Sequence, residues 1–565
     1  MTENPDPPRP ADPAAATAAI AEGRTTLGIE LGSTRIKLCL IDDDFTTLAS
    51  GSHEWENEFV DGRWTYSVDA IRTGLQAAYA DLVTEVSADF ELVPTTFRAI
   101  GVSAMMHGYL ACDAAGELLV PFRTWRNTST GPAASILTDA LGFAIPLRWS
   151  IAHLYQAVLD DEPHVARIAS LTTLAGYVHR ALTGENVLGV GDASGMFPIG
   201  TGPIGTGPTS AGPTGTQAKT YDGGMLARTQ SLLDEHSPGL DLGALLPTVL
   251  VAGDDAGALT PAGAALLDPT GHLAPGIPFC PPEGDAGTGM VATASVAPRT
   301  GNVSVGTSVF AMVVLDGPLG RVHPELDVVT TPAGDAVAMV HCNNGASELA
   351  AWARVFGRFA EATGTPLAAD DVYAALFAEA LAGEADAGGL LSYNYLSGEP
   401  VTGVEDGRPL LIRSAESRFT LGNLIRSEVY AAFATLSIGM ETLAAEDVRV
   451  EQLLAHGGPF RTPGAAQQLL AAALDVPIAV EQTASEGGAW GIAVLAAYLG
   501  RASAVSLTDF LRDEVFTGGA AVVVEPSAAD VTGFAAYLER FRAGLPLQRA
   551  AAAATPATSL QEVSA

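Results

Sequence analysis

Lysine occurs at only two positions, 37 and 219, in this chain of 565 residues. Lys and Arg together number 29 against 64 Asp and Glu, giving a formal net charge of −35. No basic stripe exists to release the counterions of a nucleic acid, so nucleic acid is excluded as an expected partner. A chain this acidic that handles a polyphosphate must use metal, backbone N–H groups and helix N-termini. Cysteine is equally sparse. Cys39, Cys112, Cys280 and Cys342 lie far apart with no paired spacing, which points to reduced thiols in a cytoplasmic protein. Long apolar runs are missing too, so no membrane span is expected. The segment Met1–Gly23 lacks both a basic start and an apolar stretch. It reads as part of a disordered tail over residues 1–24.

Glycine, by contrast, is abundant at 61 residues, in a chain that is 48% hydrophobic and 16% charged. Such a length and composition suit two large domains, each with its own core. Two glycine-rich stretches organise the rest. Gly284-Asp285-Ala286-Gly287-Thr288-Gly289 sets a carboxylate beside a short apolar strand, and Gly301 to Ser308 leads into a Gly-Thr-Ser turn. That turn has an echo at an offset of 274 residues, where Leu27–Asp42 aligns with Gly301–Asp316. Both copies have the pattern of strand, Gly-hydroxyl turn, strand, Asp. Such a turn exposes backbone N–H groups and small hydroxyls, the donors a phosphate chain needs.

Apolar residues at helical spacing predict a helix over Val68–Val86. The apolar run Phe97–Ala104 predicts a buried strand that delivers Met105-Met106-His107-Gly108 to its C-terminal end, where ligands sit in α/β sheets. Asp192–Gly195 has the look of a turn. Residues 199–218 form a low-complexity Gly/Pro/Thr insert, expected to be a surface loop without chemistry. Helices are expected over Ser347–Phe359, Leu421–Leu443 and Ala484–Tyr498, and a further one starts at Thr462 and Pro463. The Ala-rich residues 546–565 read as a second disordered tail.

Taken in order, these motifs resemble the FGGY family of carbohydrate kinases. The resemblance covers roughly residues 26 to 500 and implies an α/β fold of two ribonuclease-H-like, actin-type ATPase domains with a central cleft. Residues 25–295 would form the N-terminal, sugar-binding domain and residues 296–545 the C-terminal, ATP-binding domain. The stretch Leu27–Lys37 matches the first phosphate motif of the family, which assigns Gly32, Ser33, Thr34 and Lys37 to phosphate. Asp285 matches its catalytic base, and Gly306, Thr307 and Ser308 its second phosphate motif. His456-Gly457-Gly458 and the helix holding Gln467 match its adenosine region. The resemblance therefore implies ATP and Mg²⁺ as cofactors. Met106, His107, Gly108, Trp125 and Asn127 look most like the sugar contacts of xylulokinases, which phosphorylate ketopentoses. Two departures stand out. Glu30 replaces the usual Asp expected to hold Mg²⁺, and Asn127 replaces an Asp, so L-ribulose or another ketose suits the chain as well as xylulose.

The implied activity is ATP-dependent phosphorylation of a ketose, the alternative being a catalytically impaired sugar sensor or scaffold of the same fold. No membrane partner is expected, and a homodimer is the default assembly. At the level of single residues, Asp285 opens a short helix whose dipole would keep its carboxylate ionised, although an N-cap role explains it too. His107 has two ring nitrogens for sugar hydroxyls. Trp125 offers either an apolar face to the sugar or a core side chain. Arg123 and Arg126 are given no role, and His341–Asn344 is taken as a strand end.

Overall fold

The computed structural model describes residues 13–200, 219–462, 464–480, 487–517 and 521–555. The chain divides into two compact units: residues 1–297, 328–337 and 484–518 in the first, and 298–327, 338–483 and 519–565 in the second.

The first unit is built on a five-stranded sheet. Its strands run in the order Glu283–Gly284, Ala99–Ala104, Thr26–Leu31, Arg35–Ile41, Thr47–Glu54. The first three are parallel, and the last two add as antiparallel neighbours. Leu27, Ile29, Leu31, Ile36, Leu38 and Leu40 are wholly buried, which is what the alternating apolar pattern of the hairpin requires. The expected helix extends over Val68–Phe90. Ser67 caps it by accepting the N–H of Ala70 at 3.2 Å, and Glu91 ends it in the left-handed region at φ 54°. Ile71, Leu75, Ala78 and Leu82 form the buried face of this helix.

The second unit contains most of a seven-stranded sheet. The order is Leu326–Thr330, Ala336–Cys342, Val309–Val314, Thr300–Val305, Gln452–Gly457, Ile478–Val480, Val522–Val524. Its central helix, Leu421–Ala445, is buried along most of its length. The internal echo is borne out strand for strand. Thr26 and Thr300 open the two copies, Leu31 and Val305 end the first strands, and Arg35 and Val309 begin the second. Each hairpin also pairs in parallel with a strand from further along the chain, Ala99–Ala104 in one case and Gln452–Gly457 in the other.

Several expectations need correction. Residues 13–21 of the supposed N-terminal tail are a helix whose Ala16 and Ile20 enter the hydrophobic core. Burying an Ile contributes about 1.5–3 kcal/mol, and the Ala-rich background, which carries little amphipathic signal, hid it. Likewise the tail assigned to 546–565 is helical as far as Ala554, because Gln548 exchanges two hydrogen bonds of 2.9 and 2.8 Å with the backbone of Arg408. Residues 556–565, like 1–12, lie outside the described residues. Third, residues 296–545 do not stay together, since 484–518 return to the first unit. The helix Gly487–Ala497 packs on the strands Thr26–Leu31 and Ala99–Ala104. A Cβ on Gly28 would stand 2.0 Å from the carbonyl oxygen of Ala489, so only small residues on both sides permit this approach. Finally, the helix expected from Thr462 begins at Ala465.

All four cysteines are buried. Among the described residues no helix is long and apolar enough to cross a membrane.

The insert assigned to 199–218 begins too early. Ile199 is buried and bridges to Tyr221, and the N–H of Gly200 donates to the carbonyl of Thr220 at 2.9 Å. Residues 201–218 lie outside the described residues. Since the flanks are already held together, replacing 201–218 by a four-residue Gly-Ser link should change the melting temperature by no more than about 2 °C, because loop-closure entropy varies slowly with length. Removal of Ile199 as well should cost more, and thermal denaturation of the two deletions side by side makes the comparison. Equal destabilisation by both would show that the insert is packed.

Candidate active site

The C-terminal ends of three parallel strands of the first unit carry three groups to one edge. After Leu31 comes the turn Gly32-Ser33-Thr34, after Ala104 the loop Met105–Gly108, and after Gly284 the carboxylate of Asp285. The last two are tied directly: Asp285 Oδ1 accepts the N–H of Met106 at 3.1 Å and that of Ala286 at 3.0 Å. Asp285 is the first residue of the helix Asp285–Ala292, and its N-cap is Gly284. The pure N-cap role is therefore not the one it has. Burial raises its carboxyl above the ordinary value, and the N–H donors of Met106 and Ala286 oppose this without cancelling it. The helix dipole alone does not set its charge, in contrast to the expectation. A half-buried carboxylate with a raised proton affinity is a better general base than an ordinary one.

Behind Asp285 lie two more buried carboxylates. Glu283 accepts the N–H of Asp192 at 2.9 Å and that of Gly191 at 3.3 Å, closing the N-terminus of the short helix Val190–Ser194. Asp192 Oδ2 accepts the hydroxyl of Thr173 at 2.5 Å, and among the described residues Oδ1 meets no donor. Burial above all, with the charge of Asp285 added, pushes Asp192 up to about 7. Burial and the neighbouring Asp192 push Glu283 up to about 8.

His107 sits at φ 70°, a conformation costly for a residue with a Cβ. The loop holds it there: the N–H of Gly108 donates to the carbonyl of Arg148 at 3.0 Å, and Ser150 donates to the carbonyl of Gly108 at 2.6 Å. The imidazole stacks on Trp149 with ring planes 18° apart, and its Nδ1 lies 3.3 Å from the carbonyl of Gly195. One ring nitrogen is thus engaged within the protein, which corrects the expectation that both face a sugar. Trp125 is exposed, so the core alternative fails for it.

Asn127 requires a larger correction. Its amide accepts the N–H of Trp64 at 2.9 Å and donates to the carbonyls of Trp64 at 2.8 Å and Thr124 at 3.0 Å. Both of its donors are occupied, so it fastens the loop to the strand Arg63–Thr65 and has no donor for a substrate. Arg123 is not solvated either. It is buried in an ion pair with Glu162, which also lies 3.3 Å from His164. Arg126 lies over the ring of Trp64 at 4.4 Å.

Glu30 and Lys37 are directly opposite each other in the first hairpin and share a face. The carboxylate of Glu30 lies against Gly488, where a Cβ would stand 2.5 Å from Oε1. Among the described residues no group of three His, Cys, Asp or Glu is placed to hold a metal ion. A single hard-oxygen ligand nevertheless suits Mg²⁺, which keeps most of its waters and takes phosphate oxygens for the rest.

In the second unit, the exposed Gly306 and Thr307, with half-buried Ser308, follow the strand Thr300–Val305, and exposed Gly457 and Gly458 end the neighbouring parallel strand. These five residues thus share one sheet edge. Gln467 does not join them. It is buried on the helix Ala465–Leu474, and its Nε2 donates to the carbonyls of Ile478 at 2.8 Å and Val522 at 2.6 Å. Its role is to join two strands, which removes it from the nucleotide contacts. His341 and Cys342 end a strand, and the Asn344 that follows bonds the loop at Ser397–Glu399.

This fold is shared by sugar kinases of known structure. Residues 301–500 match the C-terminal domain of the FGGY family of carbohydrate kinases. Over 233 residues the chain is 30% identical to a xylulose kinase of Streptomyces coelicolor, a match that spans 38% of this chain and 40% of that protein. A crystal structure of a xylulose kinase from Brucella ovis superposes with a TM-score of 0.71 at 19% identity, covering 93% of this chain and all of that one. A Plasmodium falciparum glycerol kinase with ADP superposes with a TM-score of 0.69 at 12% identity, covering 92% and 98% of the two chains. The resemblance to FGGY carbohydrate kinases drawn from the motifs is therefore borne out in the fold and in the C-terminal domain.

The raised Asp192 has a measurable consequence. Its folded value of about 7 stands above the ordinary value of 3.8, so the protonated form contributes stability that is full below the lower value and is lost as pH rises through the upper one. Asp192→Asn is neutral at every pH and nearly the same shape. Its stability relative to the natural protein should therefore increase between roughly pH 4 and pH 8, by on the order of 2–4 kcal/mol, and stay level above that. Urea denaturation at several pH values measures the difference, and a margin that does not change with pH would show that Asp192 is charged throughout.

Proposed function

We propose that the protein is an ATP-dependent carbohydrate kinase that transfers the γ-phosphate of ATP to a hydroxyl of a ketose, with ketopentoses such as xylulose or ribulose as the first candidates. The observation that carries this reading is the bond between Asp285 and the N–H of Met106, which fixes a carboxylate beside the Met-His-Gly loop. Asp285 takes the proton of the bound hydroxyl, whose oxygen forms a bond to the γ-phosphorus while the bond to the bridging oxygen breaks and ADP leaves. Proton, phosphoryl group and leaving group are then all accounted for. The turns Gly32-Ser33-Thr34 and Gly306-Thr307-Ser308 each offer backbone N–H and hydroxyl donors for phosphate oxygens, as a chain poor in lysine requires. Gly457 and Gly458 leave room for the nucleoside. Mg²⁺ bound with ATP would neutralise phosphate charge, and Glu30 is the residue that would hold it. On the sugar side, His107, Gly108 and the exposed Trp125 are the candidate contacts. Solved kinases named for xylulose and for glycerol share this fold, so the choice of acceptor falls to the side chains of the site.

ADP release assayed across a panel of ketoses, aldoses, polyols and sugar acids tests the activity. Release that depends on one ketose supports the proposal, and a response to glycerol or gluconate alone would redirect it. Asp285→Asn tests the base. The Asn oxygen can still accept the N–H groups of Met106 and Ala286, so the fold and ATP binding should survive. Turnover should fall about 10²–10⁴-fold, the usual effect of losing a general base. A folded variant with near-normal turnover would remove Asp285 from that role.

A further inference from the structure

Both phosphate turns are held from behind by their carbonyl oxygens. In the first, the N–H of Gly32 closes the turn on the carbonyl of Arg35 at 3.0 Å. The carbonyl of Gly32 accepts from the indole Nε1 of Trp55 at 2.7 Å, and that of Ser33 accepts from the hydroxyl of Tyr66 at 2.6 Å. The carbonyl of Thr34 accepts from the backbone N–H of Trp55 at 3.1 Å. The two aromatic rings are buried and stacked, with centroids 4.2 Å apart and planes at 27°. In a trans peptide the C=O of one residue and the N–H of the next point in opposite directions. Turning the carbonyls of Gly32 and Ser33 into the protein therefore turns the N–H groups of Ser33 and Thr34 outward. Both residues are exposed, and among the described residues neither N–H has an acceptor within the chain.

The second turn reaches the same orientation by other means. The carbonyl of Gly306 accepts the N–H of Ala346 and that of Thr307 accepts the N–H of Gly345, each at 2.8 Å. Gly345 is required there, because a Cβ would stand 2.4 Å from the oxygen of Gly306. Behind it, Asn344 accepts the N–H of Leu396 at 2.8 Å and donates to Glu399 at 3.0 Å. Aromatic side chains do in one turn what a backbone loop does in the other. Orientation is the shared feature, and outward N–H groups on successive residues suit an anionic oxygen.

We infer that Trp55 and Tyr66 are positioning residues for nucleotide binding, clamping the carbonyls of Gly32 and Ser33 so that the N–H groups of Ser33 and Thr34 meet a phosphate oxygen. The inference rests on the kinase reading and assigns these two side chains a role in it. Tyr66→Phe removes only the hydroxyl and keeps the stacked ring, and Trp55→Phe removes the indole donor.

Isothermal titration of the full chain with Mg²⁺ and a non-hydrolysable ATP analogue, and separately with adenosine, should show analogue affinity reduced about fivefold to tenfold in each variant, the effect of losing one orienting hydrogen bond. Adenosine affinity should stay within about twofold, because adenosine has no phosphate to meet the turn; damage to the whole fold would weaken both ligands. In the natural protein, amide hydrogen exchange over residues 32–34 should slow when the analogue is added and not when adenosine is. This measurement decides the matter even where a variant does not fold. Unchanged analogue affinity in folded variants, or exchange at residues 32–34 that ignores the analogue, would overturn the clamp while leaving the kinase reading intact. A natural protein that does not bind the analogue at all would overturn both.

Discussion

The parallel pairing of Thr26–Leu31, Ala99–Ala104 and Glu283–Gly284 is the constraint on which the candidate site depends. Parallel strands end on the same edge of a sheet, so three segments distant in sequence deliver a hydroxyl turn, the Met-His-Gly loop and a carboxylate to one place. The register is held by the burial of Leu27, Ile29 and Leu31 and of Ile100, Val102 and Ala104. A slip of one residue would turn each of these sets to the other face. The bond from Met106 to Asp285 then sets the separation of loop and carboxylate. The helix Gly487–Ala497 supports this edge, since Gly488 lies against both Glu30 and Thr288 and the hydroxyl of Thr288 lies 3.0 Å from that of Ser103. A chain segment that lies beyond the second hairpin in sequence thus completes the packing of the first.

The charge balance explains why backbone carries so much of the proposed phosphate binding. With lysine at two positions, and Lys37 opposite Glu30, side-chain cations near the first turn are few. Peptide N–H groups are fixed in direction and do not need to be desolvated as full charges. The same shortage leaves Asp192 and Glu283 buried near Asp285 without a cation among the causes that shift them. Each then lowers its charge by holding a proton more tightly. A buried lysine or arginine there would have kept them ionised and would have lowered the proton affinity of Asp285 with them. The shortage of positive charge in the sequence therefore also tunes the interior.

Much of this was legible in the sequence because it depends on local pattern. The alternating hairpins, the echo between them, the buried strand before Met105 and the carboxylate after Gly284 all have short-range signatures. What was missed depends on contacts that leave none. Asn127 bonds Trp64 and Gln467 bonds Val522, both through backbone carbonyls, which no side-chain pattern reveals. In both cases a polar side chain within a ligand-type motif has the chain itself as its partner. Gln548 and Ile20 anchor segments whose Ala-rich composition resembles that of unstructured tails. The helix Gly487–Ala497 was recognised by its small residues, but small residues do not say which sheet they approach.

The two turns show how far a repeated scaffold constrains what supports it. Strand boundaries correspond, and in each turn the glycine N–H closes the chain on a following carbonyl, Gly32 reaching Arg35 three residues on and Gly306 reaching Ser308 two residues on. The groups behind them do not correspond: indole and phenol in one, peptide N–H in the other. If the turns served only to reverse the chain, their outer carbonyls would be free to face water, which satisfies them at no cost in side-chain order. Instead two buried aromatic residues in one unit and a close-packed glycine loop in the other are committed to carbonyls that water would have served. Ordering those groups costs conformational entropy in both units, and the direction of the opposite N–H is a property that the two unlike supports have in common.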